Sequence, residues 1–263
     1  MSRRVNSKIG RGFKTARRWL LLAAMLTLLT GALNPVYGQQ FNSDNWWVLP
    51  YGVGMGVATV GEHYSTMYLA FGFWPKWEVD ISTTLLEKED ETTANHYATS
   101  AFVKRLLYEN ETQTGGLAVM AGIGSTPGYL QAGGGVTRDF KNYWAYIPWT
   151  VPLFDNTLSW DIMPGATYNL EYGPEKDAAW GFLYSSRIAI YKVIPQSAIV
   201  AEVFGTEGDA YSKPQYKAGV RWEGKYVVAA LTYGAALDGS QGSGIELGVM
   251  VLTPPFLCKG GCK

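Results

Sequence analysis

Two histidines, two cysteines and one glycine-rich stretch are the residues here whose types could support covalent, metal or phosphate chemistry. Glu62-His63-Tyr64-Ser65 puts an acid, a base and a hydroxyl within four positions, the ingredients of nucleophilic acyl transfer. They fall in a turn, where neighbours project apart, and a triad is defined by geometry rather than proximity in sequence. His96 ends a polar loop, so the simpler reading is two exposed loop histidines. The glycines of residues 122–135 lack the Gly-Lys-Ser/Thr and the following helix that a phosphate loop needs. Cys258 and Cys262 close the chain as Cys-Lys-Gly-Gly-Cys. Two thiolates with no nearby second pair of ligands do not make a zinc site. In an oxidising compartment they are expected to pair as a small disulfide loop. No cofactor is implied.

A different set of residues is more informative. Glu78, Asp80, Lys104, Asp161, Arg187, Glu202, Lys217, Arg221, Glu223 and Glu246 all lie on the opposite parity from an alternating apolar series. The pattern is clearest near the end of the chain. Tyr216, Ala218, Val220 and Trp222 alternate with Lys217, Gly219, Arg221 and Glu223. Ile245, Leu247, Val249 and Val251 alternate with Glu246, Gly248 and Met250. Period-two alternation marks strands whose two faces meet different media. Glu223-Gly224-Lys225 and the polar residues 238–242 join the last three strands into an antiparallel meander.

The same rhythm runs back through the chain. Strands are expected over Trp46–Val60, Thr66–Phe73, Glu78–Leu85, Tyr97–Tyr108 and Leu117–Gly124, then from Thr157 to Leu170, Trp180 to Ile190 and Ile199 to Val203. Arg105 falls on the apolar parity and must reach water near an interface. Residues 125–156 hold one strand, either Tyr129–Val136 or Tyr143–Phe154. Pro148 and Pro152 count against the second choice. The total is about twelve, within ten to fourteen, and the expected fold is an all-β antiparallel up-and-down barrel.

Alternation does not say which face is inside. A soluble barrel or sandwich turns its apolar face inward and a membrane barrel turns it outward. Trp46, Trp47, Trp74, Trp77, Trp180 and Trp222 stand at strand ends and turns, as interfacial aromatics do. Short connections also alternate with longer polar ones at residues 87–96, 205–214 and 237–243, the asymmetry of an outer-membrane barrel. The membrane arrangement is therefore expected, with outer-membrane lipid and the barrel-assembly machinery as partners. An even strand count returns both termini to the periplasm.

Residues 1–38 read as a signal peptide. Seven basic residues and no acid precede the uncharged run Trp19–Leu33, which is too short for a comfortable helical span of about 20 residues. Val36 and Gly38 suit a cut before Gln39. Without the leader the chain holds 15 basic against 22 acidic residues, a net charge of −7 that argues against a nucleic-acid partner. The organisation expected is leader 1–38, barrel 39–256 and a cysteine-containing tail 257–263.

With that leader, the glycine-aromatic strands and a last strand Gly244–Thr253 followed by Phe256, the chain resembles a Gram-negative outer-membrane β-barrel protein. Members of that class end on an aromatic that the assembly machinery reads, whereas here Pro254, Pro255 and the cysteine tail intervene. In length and strand rhythm it is similar to channel-like barrels linked to uptake of aromatic compounds. The resemblance implies a channel or transport protein for a small-molecule solute. A non-transporting structural or loop-presenting barrel is the alternative, and a lipid hydrolase the third, so that no enzyme activity is expected. The ten charged residues then line a lumen, either as braces that close it or as a polar path.

Overall fold

The computed structural model describes residues 41, 43–86, 96–125, 140–172, 177–239 and 243–257. The leader and both cysteines lie outside them. The described residues form strands and no helix. In chain order the strands are β1 (Gly54–Gly61), β2 (Tyr64–Trp74), β3 (Trp77–Leu86), β4 (His96–Glu109), β5 (Gly116–Gly124), β6 (Asn142–Tyr146) and β7 (Trp149–Leu153). There follow β8 (Leu158–Ile162), β9 (Gly165–Tyr172), β10 (Asp177–Tyr191), β11 (Ser197–Gly208), β12 (Ser212–Glu223), β13 (Val227–Ala236) and β14 (Gly244–Leu252).

These fourteen segments make a closed barrel of twelve antiparallel wall positions. Both β6 and β7 pair with β5, and both β8 and β9 pair with β10, so each couple is one wall strand broken in the middle. The breaks fall at Pro148 and Pro164, whose rings supply no N–H to a ladder. Their carbonyls still serve the wall, Pro148 accepting from Ala118 N–H and Pro164 from Ile147 N–H. Closure comes from β1 pairing with β14, from Met55 opposite Leu252 to Gly61 opposite Glu246. The first and last wall strands therefore have their chain ends at the same rim.

Of the two sequence alternatives for residues 125–156, the wall uses the Tyr143–Phe154 region, in two pieces; residues 126–139 lie outside the described set. Pro152 sits at the far end of β7, opposite Ser159.

The faces are those of a membrane barrel. Val60, Ile81 and Leu247 are 62%, 53% and 55% exposed on the outside, with Met67, Leu69 and Leu231 in the same band. Trp74, Tyr97, Tyr108, Trp180 and Phe256 are exposed towards strand ends. A soluble barrel would have buried that band. Arg105 meets its expectation: it is exposed at the rim opposite Trp77, with its guanidinium 5.0 Å from that indole.

The expected first strand, Trp46–Val60, is corrected. The wall begins only at Gly54. Residues 43–49 are folded inside the barrel, and Trp46 is 2% exposed rather than part of an interfacial girdle. Trp47 is half-buried beside it. The run Trp46-Trp47-Val48-Leu49 does not alternate because it has no outer face.

Candidate functional site

Alternation on twelve tilted strands sends every second side chain inward, and the ten charged residues on that parity are all buried, none more than 6% exposed. Four of them, Glu78, Lys104, Arg187 and Glu202, bond there to the chain's own backbone. Residues 43–53 run across the lumen from the start of β1 to the opposite wall at β10 and β11, and wall side chains take the place of a neighbouring strand. Leu49 N–H donates to Glu78 Oε2 at 2.7 Å. Lys104 Nζ donates to the Trp47 carbonyl at 2.7 Å and pairs with Asp44 at 2.8 Å. Trp46 N–H reaches Thr150 Oγ1 at 3.3 Å. Ser43 N–H donates to Glu202 Oε2 at 2.9 Å, and its carbonyl accepts from Arg187 Nη1 at 2.7 Å. Its hydroxyl bonds to that of Ser185.

This strap needs room at the wall. Gly52 and Val53 exchange bonds with Gly72 on β2, whose N–H donates to the Val53 carbonyl at 3.0 Å. A β-carbon at Gly72 would lie 2.3 Å from the Pro50 carbonyl oxygen, so only glycine lets the strap lie this close.

The wall charges that touch the strap are braced in turn. Arg187 holds Asp161 Oδ2 with both Nε at 2.8 Å and Nη2 at 2.7 Å, and Asp161 Oδ1 accepts from the Thr150 hydroxyl. Tyr68 OH donates to Asp80 Oδ1 at 2.6 Å. Two further pairs stand apart from the strap. Lys217 Nζ pairs with Glu246 Oε2 at 2.8 Å, and Tyr64 OH donates to the other Glu246 oxygen at 2.6 Å. Arg221 Nε donates to Glu223 Oε1 at 2.7 Å and Nη2 reaches Tyr191 OH at 3.2 Å.

Glu202, Lys217 and Arg221, which strand adjacency would put in mutual contact, thus look to different partners. Glu202 and Lys217 are directly opposite in register. Lys217 is also opposite Gly234, however, and its ammonium passes over β13 to Glu246 on β14. Arg221 turns along its own strand to Glu223.

The barrel interior is narrowed rather than filled. At the rim with the short connections 154–157, 192–196 and 224–226 lies a cavity of about 710 Å³ bordered by Asp155, Tyr191, Gln196, Glu223 and Lys225. Near the other rim lies one of about 300 Å³. The strap and its charged partners stand between these two regions.

The hydrolase constellation is not brought together by the fold. Ser65 and His63 fall on one parity at the β1–β2 turn, but the residues directly opposite Ser65 are Val60 and Leu85, and neither neighbouring strand offers it an acid or amide. Glu62 accepts from Ile245 N–H at 3.2 Å, and Tyr64 turns inward to Glu246. The side chain of His96 lies outside the described set. Gly122 and Gly124, from the stretch tested for a phosphate loop, are wall residues of β5 opposite Phe102 and Ser100.

No protein-family model matches this sequence, and no curated protein matches it. Solved structures do share its architecture. The KdgM porin, solved in complex with disordered oligogalacturonate, aligns at a TM-score of 0.50 and 12% identity, over 76% of this chain and 98% of the porin. The COG4313 outer membrane channel from Pseudomonas putida F1 aligns at a TM-score of 0.47 and 11% identity, over 81% of this chain and 99% of the channel. The porin likeness is one of fold: a closed twelve-strand antiparallel barrel of the outer-membrane channel type.

Proposed function

We propose that this protein is a narrow outer-membrane channel for small molecules, throttled by its own N-terminal strap. The observation that carries the reading is the lumen itself. Cavities at either rim are separated by a charged waist, and the strap crossing that waist is held by side-chain contacts rather than by a ladder of its own. Such contacts can be exchanged for water or solute without opening the barrel wall. Seven buried acidic residues, counting Asp44, face four buried basic ones among the described residues. That imbalance favours neutral or cationic solutes over an acidic oligosaccharide of the kind found with the porin neighbour.

In this reading the leader 1–38 is removed and the mature chain begins two residues before Phe41, so the strap is the true N-terminus. Both termini face the periplasm, and Cys258 and Cys262 form a disulfide in a tail that the barrel does not need. Planar-bilayer recording of the purified mature protein tests the function. Small, discrete ion currents are expected; a folded, heat-modifiable barrel that passes none would establish a sealed structural barrel instead.

A further inference from the structure

The cavity of about 300 Å³ near the long connections differs chemically from the waist. It lies where β3 and β9 end and β4 and β6 begin. Its described lining contains no ionisable acid or base except tyrosine phenols. Ser82, Ser100, Asn142, Thr167 and Asn169 supply hydroxyls and amides, and Trp144 supplies an indole. Several of these groups are held in place by one another. Ser82 and Ser100 share a bond at 2.7 Å, and Thr167 donates to Asn142 at 2.6 Å. A serine or threonine hydroxyl has one donor and two acceptor sites, so Ser82, Ser100 and Thr167 keep capacity for a guest.

On the side towards the waist the cavity gives way to an aromatic wall. Tyr68, Phe102, Trp144 and Tyr146 follow one another with ring centroids 5.8, 5.0 and 5.5 Å apart. Gly122 makes this possible, because a β-carbon there would lie 2.5 Å from the Trp144 ring. Aromatic faces beside paired hydroxyl and amide groups match a molecule with C–H surfaces and a rim of hydroxyls. An ion would meet no countercharge in the described lining, and its desolvation would go uncompensated. A plain aromatic guest would leave the hydroxyls and amides facing it unpaired.

We propose that this cavity is a vestibule that binds an uncharged polyhydroxylated solute of sugar size, entering from the rim of long connections. Its volume is at the low end of ligand sites, which run from about 300 to 1,000 Å³, and suits one or two sugar rings. The proposal deepens the channel reading and rests on it for the purpose of binding, though not for binding itself.

The test is calorimetric titration of the full mature protein in detergent with maltose, digalacturonate and benzyl alcohol. Maltose is expected to bind saturably and the other two not. Trp144→Ala should weaken maltose about tenfold, the scale of one lost aromatic contact. Thr167→Val, a near-isosteric change that keeps the wall intact, should weaken it several-fold, and Tyr191→Phe at the other rim should leave it unchanged. Failure of the folded parent to bind maltose, preference for benzyl alcohol or digalacturonate, or equal affinity in the parent, Trp144→Ala and Thr167→Val would overturn the proposal. Bilayer currents are read separately. Currents without maltose binding refute the vestibule and keep the channel, whereas maltose binding without currents keeps the vestibule and refutes the channel.

Discussion

The waist and the vestibule are built on the same twelve strands, within the same inward parity, yet they solve burial differently. At the waist the side chains are acids and bases, and their partners include the backbone of residues 43–49. In the vestibule they are hydroxyls and amides, and their partners include one another and the backbone of the wall itself. The contrast explains why charge can be so concentrated inside this barrel. A buried ion is tolerated when hydrogen bonds satisfy its remaining valences, and a strand without a neighbour is a ready supply of unsatisfied N–H and C=O groups. Strap and waist each complete the other. The vestibule needs no such guest from its own chain, which is why space is left there.

If that division is right, the largest effect should come from removing a cation that serves both wall and strap. Arg187→Ala would strip Asp161 Oδ2 of both its guanidinium donors and the Ser43 carbonyl of its donor. Breaking one partner from a buried pair costs about 3–5 kcal/mol, so the urea midpoint of the barrel should fall sharply. A smaller loss is expected from Gly72→Val, where overpacking costs about 1–3 kcal/mol. Since the new side chain must push the strap off β2, conductance should rise in the same variant; a rise without loss of stability would mean that the strap is held only loosely. Arg221→Ala acts at the rim of the waist, leaving Glu223 without its arginine. Bilayer recordings should show a modest conductance increase and a reversal potential moved towards cation selectivity. The smallest effect belongs outside the lumen. Arg105→Ala loses an exposed contact with Trp77 worth about 0.5–1 kcal/mol and should leave selectivity unchanged. A selectivity shift larger than that of Arg221→Ala would show that the charged lumen does not control permeation.

Much of the wall is legible in the sequence, because alternation is a local property that the barrel leaves untouched. It put ten charged residues on one parity, and that parity is the buried one. It located Arg105 at a rim. Partnering inside the lumen is less legible, since long side chains reach past the adjacent strand. Lys217 bypasses Glu202's strand for Glu246 on β14, a fact of register three strands deep. The strap was misread as the start of β1. Its signal was present: Trp46-Trp47-Val48-Leu49 is a continuous apolar run ending at Pro50-Tyr51-Gly52, the form of a segment buried on both sides. Aromatic residues near a strand end look alike whether they face the membrane interface or the lumen, and nothing local separates the two.

The central claim is that the strap, rather than the barrel wall, limits the lumen. Single-channel conductance of the mature protein against a form lacking residues 41–49 tests it most directly, with heat-modifiable migration confirming that both are folded barrels. The account predicts a severalfold larger conductance for the shortened chain. Equal conductance in two folded barrels would contradict it.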